Sequence, residues 1–285
     1  MRLATCLYEE QQRLARAEGD DLVLLPVDLG TSLRTLMADG KLEALRHAGG
    51  DVVSVDRVRF LPPVPDADKI LCVGFNYRGH LTETGTPLPE HPSLFVRFAS
   101  SQIGHGDSVQ APSNSEQFDY EGELAVIVGR KAWRVSEDDA LSYVAGYSCF
   151  AENSVRDYQA HAKQATAGKN FLRSGAFGPW LTTADEIPDP SALTLVTRLN
   201  GEVVQNEKLT QLVFGVPALI AYITQFTELL PGDVISTGTP DGVGLFRAPP
   251  LWLRVGDTLE VQIEGVGLLR HGVVAEDALG AEIAP

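Results

Sequence analysis

At 285 residues, 44% of them hydrophobic, the chain is long enough for one large domain or for a main domain with a small appendage. Its 38 acidic residues outnumber 23 basic ones for a net charge of −15, which leaves no basic stripe for phosphates and excludes a nucleic-acid partner. The 3 scattered cysteines give no disulfide framework, and neither a membrane-length apolar run nor a signal-peptide pattern is present, so a soluble cytoplasmic protein is expected.

In chain order, the first sixty or so residues read as a small α/β module. Residues 22–26 (LVLLP) predict a short strand, and Leu33, Leu36, Met37, Leu42 and Leu45 recur at helical spacing, interrupted near Gly40. The proline-rich stretch 61–68 (LPPVPDAD) is the expected connector and divides the chain into 1–66 and 67–285. Beyond it, 70–74 (ILCVG) reads as a buried strand, and Ser136 with Asp139 as a helix start. Asn200-Gly201 supplies the tight turn of a hairpin over 193–204. Val216, Leu219, Ile220, Ile223 and Phe226 form a helical stripe facing the core. Residues 233–237, 258–264 and the segment after Gly265 predict further strands, and many short strands with few helices suggest a folded-over sheet or roll. Cys72 and Cys149 lie in apolar runs, where buried, unreactive thiols are expected.

The chemistry is concentrated in a few segments. Glu121 and Glu123 sit one residue apart in 119–129 (DYEGELAVIVG), on a predicted strand. Alternate side chains of a strand share a face, so both carboxylates point one way while Leu124, Val126 and Val128 point the other. Two like charges side by side repel unless a cation lies between them; the plain alternative is a solvated strand face. Glu152 follows in 146–159 (GYSCFAENSVRDYQ), and three carboxylates without clustered thiols or imidazoles suit a hard cation such as Mg²⁺ or Mn²⁺.

Segment 74–83 (GFNYRGHLTE) follows a strand, and its His80 and Glu83 are neighbours if the stretch is helical. A carboxylate-oriented imidazole suits proton transfer; surface decoration is the alternative. Lys169, flanked by Gly168, is either an oxyanion stabiliser or a solvated lysine. Residues 237–244 (TGTPDGVG) allow close backbone approach to a ligand, or form an ordinary loop. Dinucleotide and Walker phosphate loops, a serine-nucleophile elbow and a zinc-protease helix are all missing.

Taken in order, GFNYxxH at 74–80, FDYEGELA at 118–125, GYS at 146–148 with SVRDYQ at 154–159, GK at 168–169 and GTPxGVG at 238–244 resemble the fumarylacetoacetate hydrolase family, from about Lys69 to the C-terminus. The resemblance implies an α+β, mainly β fold: a mixed β-sandwich roll with a small N-terminal α/β domain, commonly a homodimer. It places metal ligands at Glu121, Glu123 and Glu152, a His80–Glu83 dyad on a lid, the motif lysine at Lys169, and substrate contacts at Gln159 and Thr239. The implied activity is Mg²⁺- or Mn²⁺-dependent hydrolysis of a C–C bond in an acylpyruvate-like or other β-diketo acid, in aromatic-compound catabolism. Isomerisation, decarboxylation or hydration of a 2-oxo acid is the alternative, and a non-catalytic metal- or ligand-binding protein is the rival of another class. Two residues depart from the family pattern. Glu152 stands where Asp is usual, and Arg97, where Lys is common, offers either a bidentate fork for a substrate carboxylate or a structural support. Gly74, Gly79 and Gly85 suit a mobile lid.

Overall fold

The computed structural model describes residues 1–276; residues 277–285, the end of the expected second domain, lie outside the described ones. Each strand presents apolar side chains that it cannot bury alone, and the chain resolves this by packing two sheets together. The larger is a mixed sheet of 12 strands. From one edge it runs Asp51–Ser54, Asp21–Leu24, Gln11–Glu18, Arg2–Tyr8, Gly175–Thr183, Val144–Ala151, Gly122–Val128, Val234–Ser236, Ile70–Gly74 and Ser93–Arg97. Arg59–Phe60 and Gln102–Ile103 pair beside it. The smaller sheet has the order Glu202–Lys208, Thr194–Leu199, Thr258–Ile263, Gly267–Ala275 and Ser108–Ala111. The result is an α+β, mainly β fold.

The strand Gly122–Val128 lies at the centre, buried along its whole length, so the solvated-face alternative is overturned. Leu124, Val126 and Val128 join one core with Leu195 and Val261 of the smaller sheet. Ala125 and Ile127 join a second core with Phe150, Phe177 and Leu33. Withdrawing each large aliphatic side chain from water contributes about 1.5–3 kcal/mol, and here it fixes the strand from both faces. Gly122 is required by this packing: a Cβ there would meet Thr197 Oγ1 of the facing sheet at 2.1 Å.

The opening residues extend the main sheet. Arg2 and Leu3 pair with Thr182 and Leu181, so the ladder runs across the expected 66/67 boundary. The strands Arg2–Tyr8 and Gln11–Glu18 carry no hairpin signal in the sequence, because their turn is built on Glu9 and Glu10 at positive φ, without the glycine or asparagine that marks such turns. Ser32 caps the helix Leu33–Ala38, Ser136 caps Glu137–Ala140, and Asn200-Gly201 turns the hairpin as expected. The helix Val216–Ile223 buries Val216, Leu219, Ile220 and Ile223. Phe226 is a correction: the helix stops before it, its ring packs on Tyr222, and it is 59% exposed. Cys6, Cys72 and Cys149 are all buried, and burial pushes the Cys149 thiol up to about 12. Among the described residues no helix is long and apolar enough to cross a membrane.

Candidate active site

Antiparallel pairing of Gly122–Val128 with Val144–Ala151 sets Gly122 opposite Ala151, which brings the residues just beyond, Glu121 and Glu152, side by side. The Glu152 N–H donates to the Glu121 carbonyl at 2.8 Å. Glu123, one pleat along, points to the same face, and oxygens of all three carboxylates lie within 4.8 Å of one another. All three residues are buried.

The three differ in their partners. Lys169, on the short helix Thr166–Lys169, donates to Glu121 Oε2 at 2.6 Å and to Glu152 Oε2 at 2.9 Å. Arg156 forms an ion pair with the other Glu121 oxygen at 2.6 Å, and its Nε donates to the buried Asp119 at 2.8 Å. Burial pushes the Glu121 carboxyl up, but the Arg156 and Lys169 cations outweigh it and hold the group at about 2. Glu123 receives no cation directly; its Oε2 accepts from Ser236 Oγ at 2.5 Å and from the Gly238 N–H at 2.8 Å. Burial and the charges of Glu152 and Glu121 push its carboxyl well above the usual range. Glu152 Oε1 is buried with no hydrogen-bond partner. A converging all-carboxylate donor set, with one orphaned oxygen and one carboxylate strained by like charge, fits a hard divalent cation.

His80 and Glu83 occupy one face of the helix Arg78–Thr84, whose first residue lies four positions after the strand Ile70–Gly74. His80 Nδ1 lies 2.8 Å from Glu83 Oε2, and the other Glu83 oxygen accepts from the Gly242 N–H at 2.9 Å. His80 is buried, and the loop whose Gly242 holds Glu83 also places its Gly238 N–H on Glu123, which ties the dyad to the carboxylate cluster. Gly79 is a point of contact rather than of swivel: a Cβ there would lie 2.2 Å from Asp241 Oδ1.

Residues 69–274 match the family model described as fumarylacetoacetate (FAA) hydrolase C-terminal. The chain belongs to the fumarylacetoacetate hydrolase family. It is 43% identical over 225 residues to the human mitochondrial oxaloacetate tautomerase FAHD2A, covering 78% of this chain and 72% of that protein. Among solved structures, the fumarylacetoacetate hydrolase of psychrophilic Exiguobacterium antarcticum superposes with a TM-score of 0.87 at 32% identity, covering 97% of this chain and 100% of the other. The maleylpyruvate hydrolase of Sphingobium sp. SYK-6, in complex with manganese(II) ion and pyruvate, gives 0.80 at 28% identity, covering 96% and 99%.

The remaining residues expected of this family member divide. Thr239 follows Gly238 directly and accepts from Gln205 Nε2 at 2.8 Å; Gln159, half-buried, accepts from Arg156 at 3.1 Å. Both thus lie one contact from a residue that binds one of the three carboxylates. Arg97 as a substrate fork is corrected: its three nitrogens donate to Ser101 Oγ, the Asn153 carbonyl and Ser174 Oγ, and it props the turn that carries Glu152. Burial lowers its pKa, and Glu152 opposes that.

Asp119, Arg156, Asn76 and Gln205 were assigned no role from the sequence. Asp119 accepts from Gly244 and Leu245 N–H, and Asn76 donates to the Thr237 carbonyl. Gln205 accepts from the Gly122 N–H. The first three lay inside the quoted motifs as polar residues in apolar surroundings, a signal available in the sequence. Gln205 sits in the hairpin strand with no local mark.

Proposed function

We propose that the chain is a divalent-cation-dependent enzyme that moves a proton at the carbon next to the carbonyl of a 2-oxo acid, interconverting keto and enol forms. One observation carries this reading: a single loop joins the His80–Glu83 dyad to the three-carboxylate cluster, its Gly238 N–H donating to Glu123 and its Gly242 N–H to Glu83. Glu121, Glu123 and Glu152 would hold the cation, which supplies Lewis-acid polarisation of the 2-oxo group when bound. With Nδ1–H held by Glu83, His80 presents Nε2 as the proton acceptor and returns the proton from the same atom. The Lys169 ammonium stabilises negative charge on the substrate oxygen, and Thr239 and Gln159 orient its carboxylate. The tautomerase name of the FAHD2A relative supports this order of preference over hydrolysis, which the sequence placed first.

A second reading, C–C hydrolysis of an acylpyruvate or other β-diketo acid, is favoured by the fold shared with the maleylpyruvate hydrolase. There His80 would take its proton from a water. Decarboxylation and hydration draw on the same residues. A non-catalytic binding role has no use for an imidazole oriented by a carboxylate. Mg²⁺ or Mn²⁺ as the cation, a place in aromatic-compound catabolism, a cytoplasmic location and a homodimer are proposals alongside it; the human relative carries a mitochondrial designation.

The test adds Mg²⁺ or Mn²⁺ to metal-stripped protein and follows the ultraviolet absorbance of enol oxaloacetate and the ¹³C spectrum of an acylpyruvate. Metal-dependent enol decay without bond cleavage supports the first reading, and pyruvate plus a carboxylic acid supports the second. His80→Asn should lower either rate by about 100-fold or more while leaving Mn²⁺ affinity unchanged. A fully active variant overturns the role given to His80.

A further inference from the structure

The His80 ring is flanked by two phenylalanines, Phe75 and Phe246, to which no role has been given. Phe75 stacks on it with ring centroids 6.1 Å apart and planes at 18°, and Phe246 meets it edge-on, also at 6.1 Å. Both remain open to solvent, 41% and 44% exposed, while the imidazole they flank is buried. Large aromatic rings are ordinarily buried with the core, so two half-open rings on one buried imidazole need a reason.

Phe75 is also held in a costly backbone state. Its φ is +57°, in the left-handed region that bulky side chains avoid, at a cost of order 1–3 kcal/mol. The next residue explains how the state persists. Asn76 is fully buried, donates to the carbonyls of Thr237 and Phe214, and accepts from the Phe214 N–H. Phe246 is fixed from the other side, because Gly244 and Leu245 just before it both donate to Asp119. The fold therefore anchors both rings through neighbours bonded to the interior.

The cations nearby are held at the carboxylate end of the site or by other side chains and carbonyls. Lys169 and Arg156 are bonded to Glu121, Glu152 and Asp119, and Arg97 to Ser101, Asn153 and Ser174. Arg247, next to Phe246, donates to the carbonyls of Gly242 and Val204. Arg78 shares the lid helix, but two residues of helix turn it roughly 200° away from His80. A second carboxylate at the far end of a substrate would meet aromatic faces here.

We infer that Phe75 and Phe246 form the specificity wall of the site, and that the preferred 2-oxo acid carries an aryl tail beyond its enolisable carbon. This inference rests on the reading under Proposed function and deepens it. The 2-oxo acid head goes down to the carboxylate cluster, and the tail lies between the two rings beside His80.

The experiment compares enol phenylpyruvate with enol oxaloacetate on the Mn²⁺-loaded enzyme. Phenylpyruvate is expected to have the higher kcat/KM. Phe75→Gly, which also removes the backbone strain, and Phe246→Ala should each lower the ratio of kcat/KM for phenylpyruvate to that for oxaloacetate by about tenfold, mainly through the KM for phenylpyruvate. Equal losses on both substrates, or a preference for oxaloacetate, overturn the inference while leaving the proposed activity standing. If neither acid turns over, the activity has failed, and saturation-transfer NMR with phenyllactate, which cannot enolise, decides the wall separately. Transfer to its aryl protons that is lost in the double variant upholds the wall, and no transfer to them in the unmodified protein rejects it.

Discussion

The three carboxylates share a face but not an electrostatic fate. Glu121 is neutralised by two cations, Glu152 by one on a single oxygen, and Glu123 by none in direct contact. Because the Glu123 carboxyl is pushed up in the folded chain, by burial first and by Glu152 and Glu121 next, its ionisation above the ordinary carboxylate range weakens the metal-free fold. Glu123→Gln keeps an oxygen for Ser236 and Gly238 and removes that repulsion. In EDTA at neutral pH the variant should melt above the unmodified protein, by roughly 2–4 °C for each kcal/mol relieved. The same variant should lose the melting shift on adding Mn²⁺. A lower metal-free melting point, or a retained Mn²⁺ shift, would show that Glu123 is not the strained ligand. A second residue-scale expectation concerns His271, fully buried, with Nδ1 donating to the Gly272 carbonyl and Nε2 accepting from Asn153. Burial depresses it to about 4 from an ordinary value of 6.5. Stability from this group is intact above 6.5 and is lost as pH falls toward 4, roughly 3 kcal/mol in all. Replacing His271 with Gln should flatten the urea-unfolding free energy across that window; an unchanged slope would mean the ring is already protonated in the fold.

At the scale of elements, the lid helix and the loop from Thr237 to Leu245 act together. That loop sends N–H groups to Glu123, Glu83 and Asp119, so one stretch of backbone braces a candidate cation ligand, the dyad and the Arg156 anchor. Sequence alone allowed this loop to be ordinary; its small residues are there because the strands and lid crowd it. Glu83→Ala breaks the bond to Gly242 and the one to His80 at once. The amides of 78–84 should then exchange faster in hydrogen–deuterium measurements, and kcat should fall by about ten- to a hundredfold with metal affinity preserved. Unchanged exchange would mean that Gly79 against Asp241 suffices to seat the lid. Lys169 was legible as a motif residue but not as a buried one. Its burial follows from the short helix Thr166–Lys169, where it lies over the Phe95 ring at 4.8 Å and between two carboxylates.

For the whole molecule, the central strand belongs to two cores at once, so the site is built on the most deeply fixed part of the fold. A cation that binds only the folded state should therefore protect the entire chain, by about 2.7 kcal/mol at a hundredfold excess over its Kd. Differential scanning calorimetry with Mn²⁺ against EDTA checks this, and coincident melting curves would reject the site. What the sequence determined by itself was local: strand alternation at Glu121 and Glu123, the i, i+3 spacing of His80 and Glu83, the Asn200-Gly201 turn, the Ser136 cap, and the ordered motifs of the family. Those signals need only near neighbours in the chain, where backbone geometry alone sets which side chains meet. Tertiary structure decided the rest. It turned the half-exposed strand into a buried one, joined the N-terminal meander to the main sheet, spent Arg97 on the turn beneath Glu152, and set Phe246 against His80. Each depends on residues far apart in sequence, and burial, charge pairing and packing arise only when the sheets close on one another.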